Sequence, residues 1–131
     1  MIEIILAILQ IILALGIVGF WIFFFKVENK NPEKKEWYLR HERSFPLPDL
    51  GLITVCLLIA ATGLLVGERF GIFFTIVAGG GLLFLGLIDL AFNLQNGLFK
   101  TKNIDAYMSI SIVTIVLIMG ILSLIYGYIN F

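Results

Sequence analysis

The sequence predicts an all-α integral membrane protein: a four-helix transmembrane bundle, up-down, with a short cytoplasmic interfacial helix between helices 1 and 2. Three observations carry this reading. Of the 131 residues, 60% are hydrophobic and only 14% are charged, whereas a soluble domain is roughly half apolar and about a quarter charged. The mean hydropathy is +1.06. Apolar stretches near the length that a bilayer requires, about 20 residues, occur four times, at 4–25, 50–66, 72–99 and 106–129. Residues 1–131 then form a single transmembrane domain, with loop 26–49 the one sizeable piece outside it. The 9 acidic and 9 basic residues cancel, which gives nucleic acid no field to bind. The single Cys56 excludes an intrachain disulfide and a cysteine metal cluster.

The first stretch is interrupted only by Gln10, with Glu3 seven residues earlier on the same face. It lacks a basic leading region and a small-residue cleavage pattern, so it is expected to be a retained helix rather than a cleaved signal. Hydrogen bonding to Ser123 or Tyr126 is the expected role of Gln10. In the loop, Asn31 before Pro32 has the form of an N-cap followed by proline at the first helical position. A short helix should follow, with Glu36 and Arg40, Tyr38 and Glu42, and Leu39 and Arg43 at i, i+4 spacing. Trp37 and Tyr38 belong at headgroup depth. Residues 45–48, Phe-Pro-Leu-Pro, are expected to be extended, because proline disfavours helix at the preceding residue. Asp49 should then cap the second spanning helix.

Glycines punctuate the second and third stretches. Gly63 and Gly67, four apart, and the run Gly79, Gly80 and Gly81 are read as helix-packing positions that let backbones approach closely. The alternative for the run is a locally unwound helix. Eight of the nine basic residues fall in the first and third loops. The positive-inside rule places those loops in the cytoplasm and both termini outside, in the cell's inner membrane.

An ionisable residue inside a spanning helix is a candidate site, and Asp89 is the one such residue. Asp89, Asn93 and Asn96 share a helical face at i, i+4, i+7. Tyr107, Ser111 and Thr114 repeat that spacing on the fourth helix, so two polar stripes could meet in an inward-opening cluster. Asp89 stands about 26 Å along its helix, near the inner edge of the hydrocarbon, where it could instead pair with Arg40 or Arg43. His41, beside Glu42 and with Asp49 nearby, is a weak acid–base candidate together with Asp89. The chain lacks the ligands for a metal site or a cofactor, and carries no nucleophile elbow.

These residues support a non-catalytic membrane protein. Its cytoplasm-facing cluster (Asp89, Asn93, Asn96, Ser111, Thr114, Arg40, Arg43, Asp49) would bind a lipid or hydrophobic ligand, or assemble a membrane complex. A small oligomeric transporter or channel is the first alternative. A membrane enzyme acting on lipid headgroups through His41, Glu42 and Asp89 is the second. Membrane lipids, a second copy of the chain or a larger membrane complex are the expected partners.

Overall fold

The computed structural model describes residues 1–131. It is all-helical, with four helices long and apolar enough to cross a membrane. The principal elements are α1 (Ile2–Lys26), α2 (Glu36–Glu42), α3 (Pro46–Pro48), a π-helical segment (Asp49–Thr54), α4 (Val55–Val66), α5 (Arg69–Gln95) and α6 (Ile104–Asn130). The chain packs as two compact units, Met1–Thr75 and Ile76–Phe131, and α5 runs unbroken from one into the other.

In the first unit, α1 buries Ala7, Gln10, Ala14, Trp21 and Phe24. These residues recur at intervals of three, four and seven, the spacing of one helical face. Two polar contacts tie that face down. Gln10 Nε2 donates to Thr75 Oγ1 at 2.9 Å, and Trp21 Nε1 donates to Asp49 Oδ2, also at 2.9 Å. The partner of Gln10 in the first unit is therefore Thr75 of α5. Glu3 stays exposed and accepts from the terminal amine at 3.0 Å, so Glu3 and Gln10 have different surroundings.

The loop departs from expectation at three points. Asn31 caps no helix; its Oδ1 accepts from Glu33 N–H at 2.9 Å, a local turn of the kind short polar side chains favour. Helix α2 starts five residues later, at Glu36. The 45–48 segment is helical rather than extended, with Phe45 at φ −89°, ψ −29°. Its prolines stand in the first turn, where the missing N–H groups have no intrahelical acceptor anyway. Asp49 N–H donates to Phe45 O at 2.8 Å, so the helix is already running when it reaches Asp49. That residue is consequently no cap. Its carbonyl accepts from Thr54 Oγ1 at 2.8 Å, a side-chain bond five residues along that accompanies the widened π turn. The second apolar stretch thereby gains the length its 17 residues lacked.

Helix α4 ends at Gly67, whose φ of +73° is left-handed. Glu68 N–H donates to Gly63 O at 2.9 Å and Gly67 N–H to Leu64 O at 3.4 Å, the paired bonds of a Schellman stop. The chain then reverses at once, and Gly63 meets the backbone of Gly71 on α5. Gly67, expected as a packing position, meets nothing within 4 Å and instead makes the turn, while Gly63 permits the approach behind it.

In the second unit, α5 stays helical through Gly79, Gly80 and Gly81, so the unwound alternative is not adopted. A side chain added at Gly79 would meet Ser123 Cβ at 2.9 Å and Gly120 O at 3.1 Å; one at Gly86 would meet Leu117 Cδ2 at 2.8 Å, and Gly127 faces Ile76. Position numbers rise on α5 as they fall on α6, so the pair is antiparallel. Gly80 meets nothing within 4 Å. Helix α6 begins at Ile104, two residues before the predicted start, because Asn103 Oδ1 accepts from Ala106 N–H at 2.8 Å, a side-chain cap.

These contacts separate two glycines that look alike in sequence. Gly63→Ala places a methyl against backbone that cannot rotate away, and overpacking of that kind costs about 1–3 kcal/mol or more. Gly80→Leu enters open space and should change stability by less than about 0.5 kcal/mol. Reversible unfolding of both variants in the same lipid checks this, with equal effects as the contrary result.

Candidate functional site

Polar groups gather at two places, one in each unit. The first is the segment from Lys26 to Asp49. Glu28 is buried, at 4% exposure, with Lys34 Nζ 3.8 Å from its Oε1. The same ammonium lies 5.4 Å from the centre of the Tyr38 ring, within the reach of a cation–π contact. Arg43 pairs with Glu36 at 2.8 Å across seven residues, in place of the expected i, i+4 pairing of Glu36 with Arg40. Arg40 is exposed, and its carbonyl accepts from Ser44 Oγ at 3.2 Å. Asp49 holds Trp21 as described.

Folding therefore sorts the charges of this segment. Of its six basic side chains, Lys26, Lys30, Lys35, Arg40 and Arg43 are exposed, and of its five acids only Glu33 and Glu36 are. A stretch that is nearly neutral as a string of letters presents a cationic surface. Apolar side chains accompany it: Trp37 is 46% exposed, and Leu47, between its two prolines, is 83% exposed.

His41 and Glu42, the weak acid–base candidates, are half-buried on α2. The His41 ring stands edge-on to Phe45, with centroids 5.0 Å apart. Burial pulls its pKa below the ordinary imidazole range, because a cationic ring loses hydration there.

The second gathering lies at the end of α5. Asn93 is buried and Asp89 half-buried. Asn93 Nδ2 donates to Asp89 O at 2.7 Å and to Asp89 Oδ1 at 3.1 Å. Asn96 lies outside this pair, exposed, with its Nδ2 donating to Phe92 O at 2.9 Å. The matching stripe on α6 faces outward: Tyr107, Ser111 and Thr114 are exposed, and Thr114 Oγ1 donates to Ile110 O in its own helix at 2.7 Å. The extended cluster expected from spacing contracts, within this unit, to Asp89 and Asn93. Spacing gave the right face of α5 but not the rotation of α6.

Two contacts at this level escaped the sequence reading. Trp21 with Asp49 joins an indole inside an apolar run to a carboxylate 28 residues away, and only the buried N–H, which needs an acceptor, hinted at it. Glu28 looked like one more loop charge, and no local signal marked it as buried.

His41 makes stability depend on pH. With the folded pKa depressed below the unfolded value of about 6.5, its contribution is complete above that pH. It is lost as pH falls toward the folded pKa, because the unfolded chain then binds the extra proton. Thermal unfolding between pH 7.5 and pH 5 should show this loss, and His41→Gln should flatten that part of the profile. Separately, Trp21→Phe removes the hydrogen bond to Asp49 and should cost about 1.5–3 kcal/mol, the worth of a bond to a charged group; equilibrium unfolding measures it.

No protein-family model, curated protein or solved structure matches the chain; its functional reading rests on the residues and geometry above.

Proposed function

We propose that this is a non-catalytic, multi-pass membrane protein that binds anionic lipid headgroups through the cytoplasmic surface of residues 26–49. In this reading four helices span the bilayer up and down, both termini lie outside, and α2 rests at the inner interface. The observation that supports it best is the sorting of charge, with five exposed cations against two exposed acids in a segment just before an apolar helix. Each exposed Lys or Arg near an anionic leaflet contributes about 1 kcal/mol. Trp37 and Leu47 supply the apolar contact that holds such a segment at the interface. The acids that would oppose it are drawn inward: Glu28 to Lys34 and Asp49 to Trp21.

Native mass spectrometry after extraction from mixed bilayers should find phosphatidylglycerol retained in preference to phosphatidylcholine. Replacing Lys30, Lys35 and Arg40 together by Gln should weaken that preference by about 1 kcal/mol per charge. Equal retention of both lipids by the native chain counts against the proposal.

Orientation has its own check. In a Cys56→Ala background, Lys35→Cys should react with a membrane-impermeant maleimide only after the inner face is opened, and Asn130→Cys should react from outside. The reverse pattern overturns the topology, and with it the cytoplasmic assignment.

A further inference from the structure

Glu36, Arg40 and Arg43 stand at i, i+4, i+7, which puts all three on one face of α2 and the residue that follows it. All three are exposed. The Arg43 side chain runs back over two turns to place Nη2 2.8 Å from Glu36 Oε1. It passes the turn that carries Arg40, which neighbours Glu36 and Arg43 one turn away on either side. Arg40 enters no ion pair of its own. Two guanidinium groups therefore share this face with one carboxylate.

The other titratable groups of the segment do not reverse that balance. Lys35 is exposed beside Glu36 and adds positive charge, and Glu33 is the one other exposed acid. His41 and Glu42 are half-buried and project from other sides of the helix. Glu28 is drawn to Lys34 and Asp49 to Trp21.

An exposed ion pair such as that of Glu36 with Arg43 is weakly held, so a stronger anion can displace the carboxylate. A phosphate monoester is such an anion. With its second ionisation near about 6 it carries close to two charges at pH 8, and it offers three acceptor oxygens to the forked donors of arginine. A phosphodiester would exchange one monoanion for another at Arg43, whereas a monoester can engage Arg43 and Arg40 together. Trp37, next to Glu36, is 46% exposed and Leu47 is 83% exposed. Apolar groups of that kind belong at a membrane interface, which favours a lipid over a soluble ester as the source of the phosphate.

We propose that Arg40 and Arg43 form a subsite for the phosphate monoester of a lipid such as phosphatidic acid, and that Glu36 occupies Arg43 until the lipid displaces it. This rests on the lipid-surface reading and adds to it a headgroup class and an internal competitor.

The test is native mass spectrometry of the full chain at pH 8, after equilibration with equal mole fractions of phosphatidic acid, phosphatidylglycerol and phosphatidylcholine. Phosphatidic acid should be retained over phosphatidylglycerol by about fivefold, about 1 kcal/mol. Arg43→Gln should bring that ratio close to one. Glu36→Gln removes the competitor and should raise retention of phosphatidic acid by about threefold. Glu33→Gln removes an equal charge that holds no arginine, and should raise it less. In an Arg43→Gln background the gain from Glu36→Gln should disappear. Equal retention of the two anionic lipids, equal gains from the Glu33 and Glu36 variants, or a Glu36→Gln gain that survives without Arg43 would each overturn the proposal. Displacement of the lipid by equimolar glycerol 3-phosphate would overturn the lipid assignment. If any of these occurs while phosphatidylglycerol is still retained over phosphatidylcholine, the subsite fails and the lipid-surface reading stands; equal retention of all three lipids removes both.

Discussion

The position of α1 depends on two hydrogen bonds, one from each half of the helix, Gln10 to Thr75 and Trp21 to Asp49. The donors are eleven residues apart, three turns of helix or about 16 Å, so they lie on one line along the buried face. Apolar contacts alone would tolerate a helix that slides by a turn, because one Ile resembles another. Two buried donors do not tolerate it, since each displaced group would lose its acceptor and carry the desolvation cost. The surrounding apolar packing supplies contact, and these two bonds supply register.

That register also accounts for the shape of the second apolar stretch. Asp49 reaches Trp21 from inside a helical run that starts at the prolines, and its carbonyl takes the Thr54 hydroxyl. One residue thus serves α1 through its side chain and the π turn through its backbone. At the other end of that stretch, Gly67 stops α4 and Gly63 lets α5 return against it, bringing Thr75 to the level of Gln10. The turn and the buried amide are therefore coupled: without the close approach at Gly63 and Gly71, Thr75 would not be in place to accept.

Charge follows the same logic in segment 26–49. An acid that finds a donor indoors ceases to oppose the cations outside. Glu28 beside Lys34 and Asp49 bonded to Trp21 are of this kind, and the exposed charges that remain on this stretch of nearly balanced composition are mostly cationic. The Asp89 and Asn93 pair is the complementary case. There the internal bonds use both amide hydrogens of Asn93 and leave its oxygen without a donor.

Composition and periodicity by themselves determined the helical class, the number of apolar helices, and the face of α5 that carries Asp89 and Asn93. All of these follow from spacing within one helix, which the letters record directly. The sequence also held signals read too narrowly: Asn103 ahead of Asp105 was a usable cap, and paired prolines are as much at home in a first helical turn as in an extended strand. Tertiary structure alone decided the partner of Gln10, the bond between Trp21 and Asp49, the burial of Glu28, the outward rotation of Ser111 and Thr114, and the difference between Gly63 and Gly80. Each of these depends on how one helix is rotated against another. In a chain that is hydrophobic almost all round, the usual amphipathic signal for that rotation is nearly absent, and a few buried polar atoms and glycine contacts must set it instead.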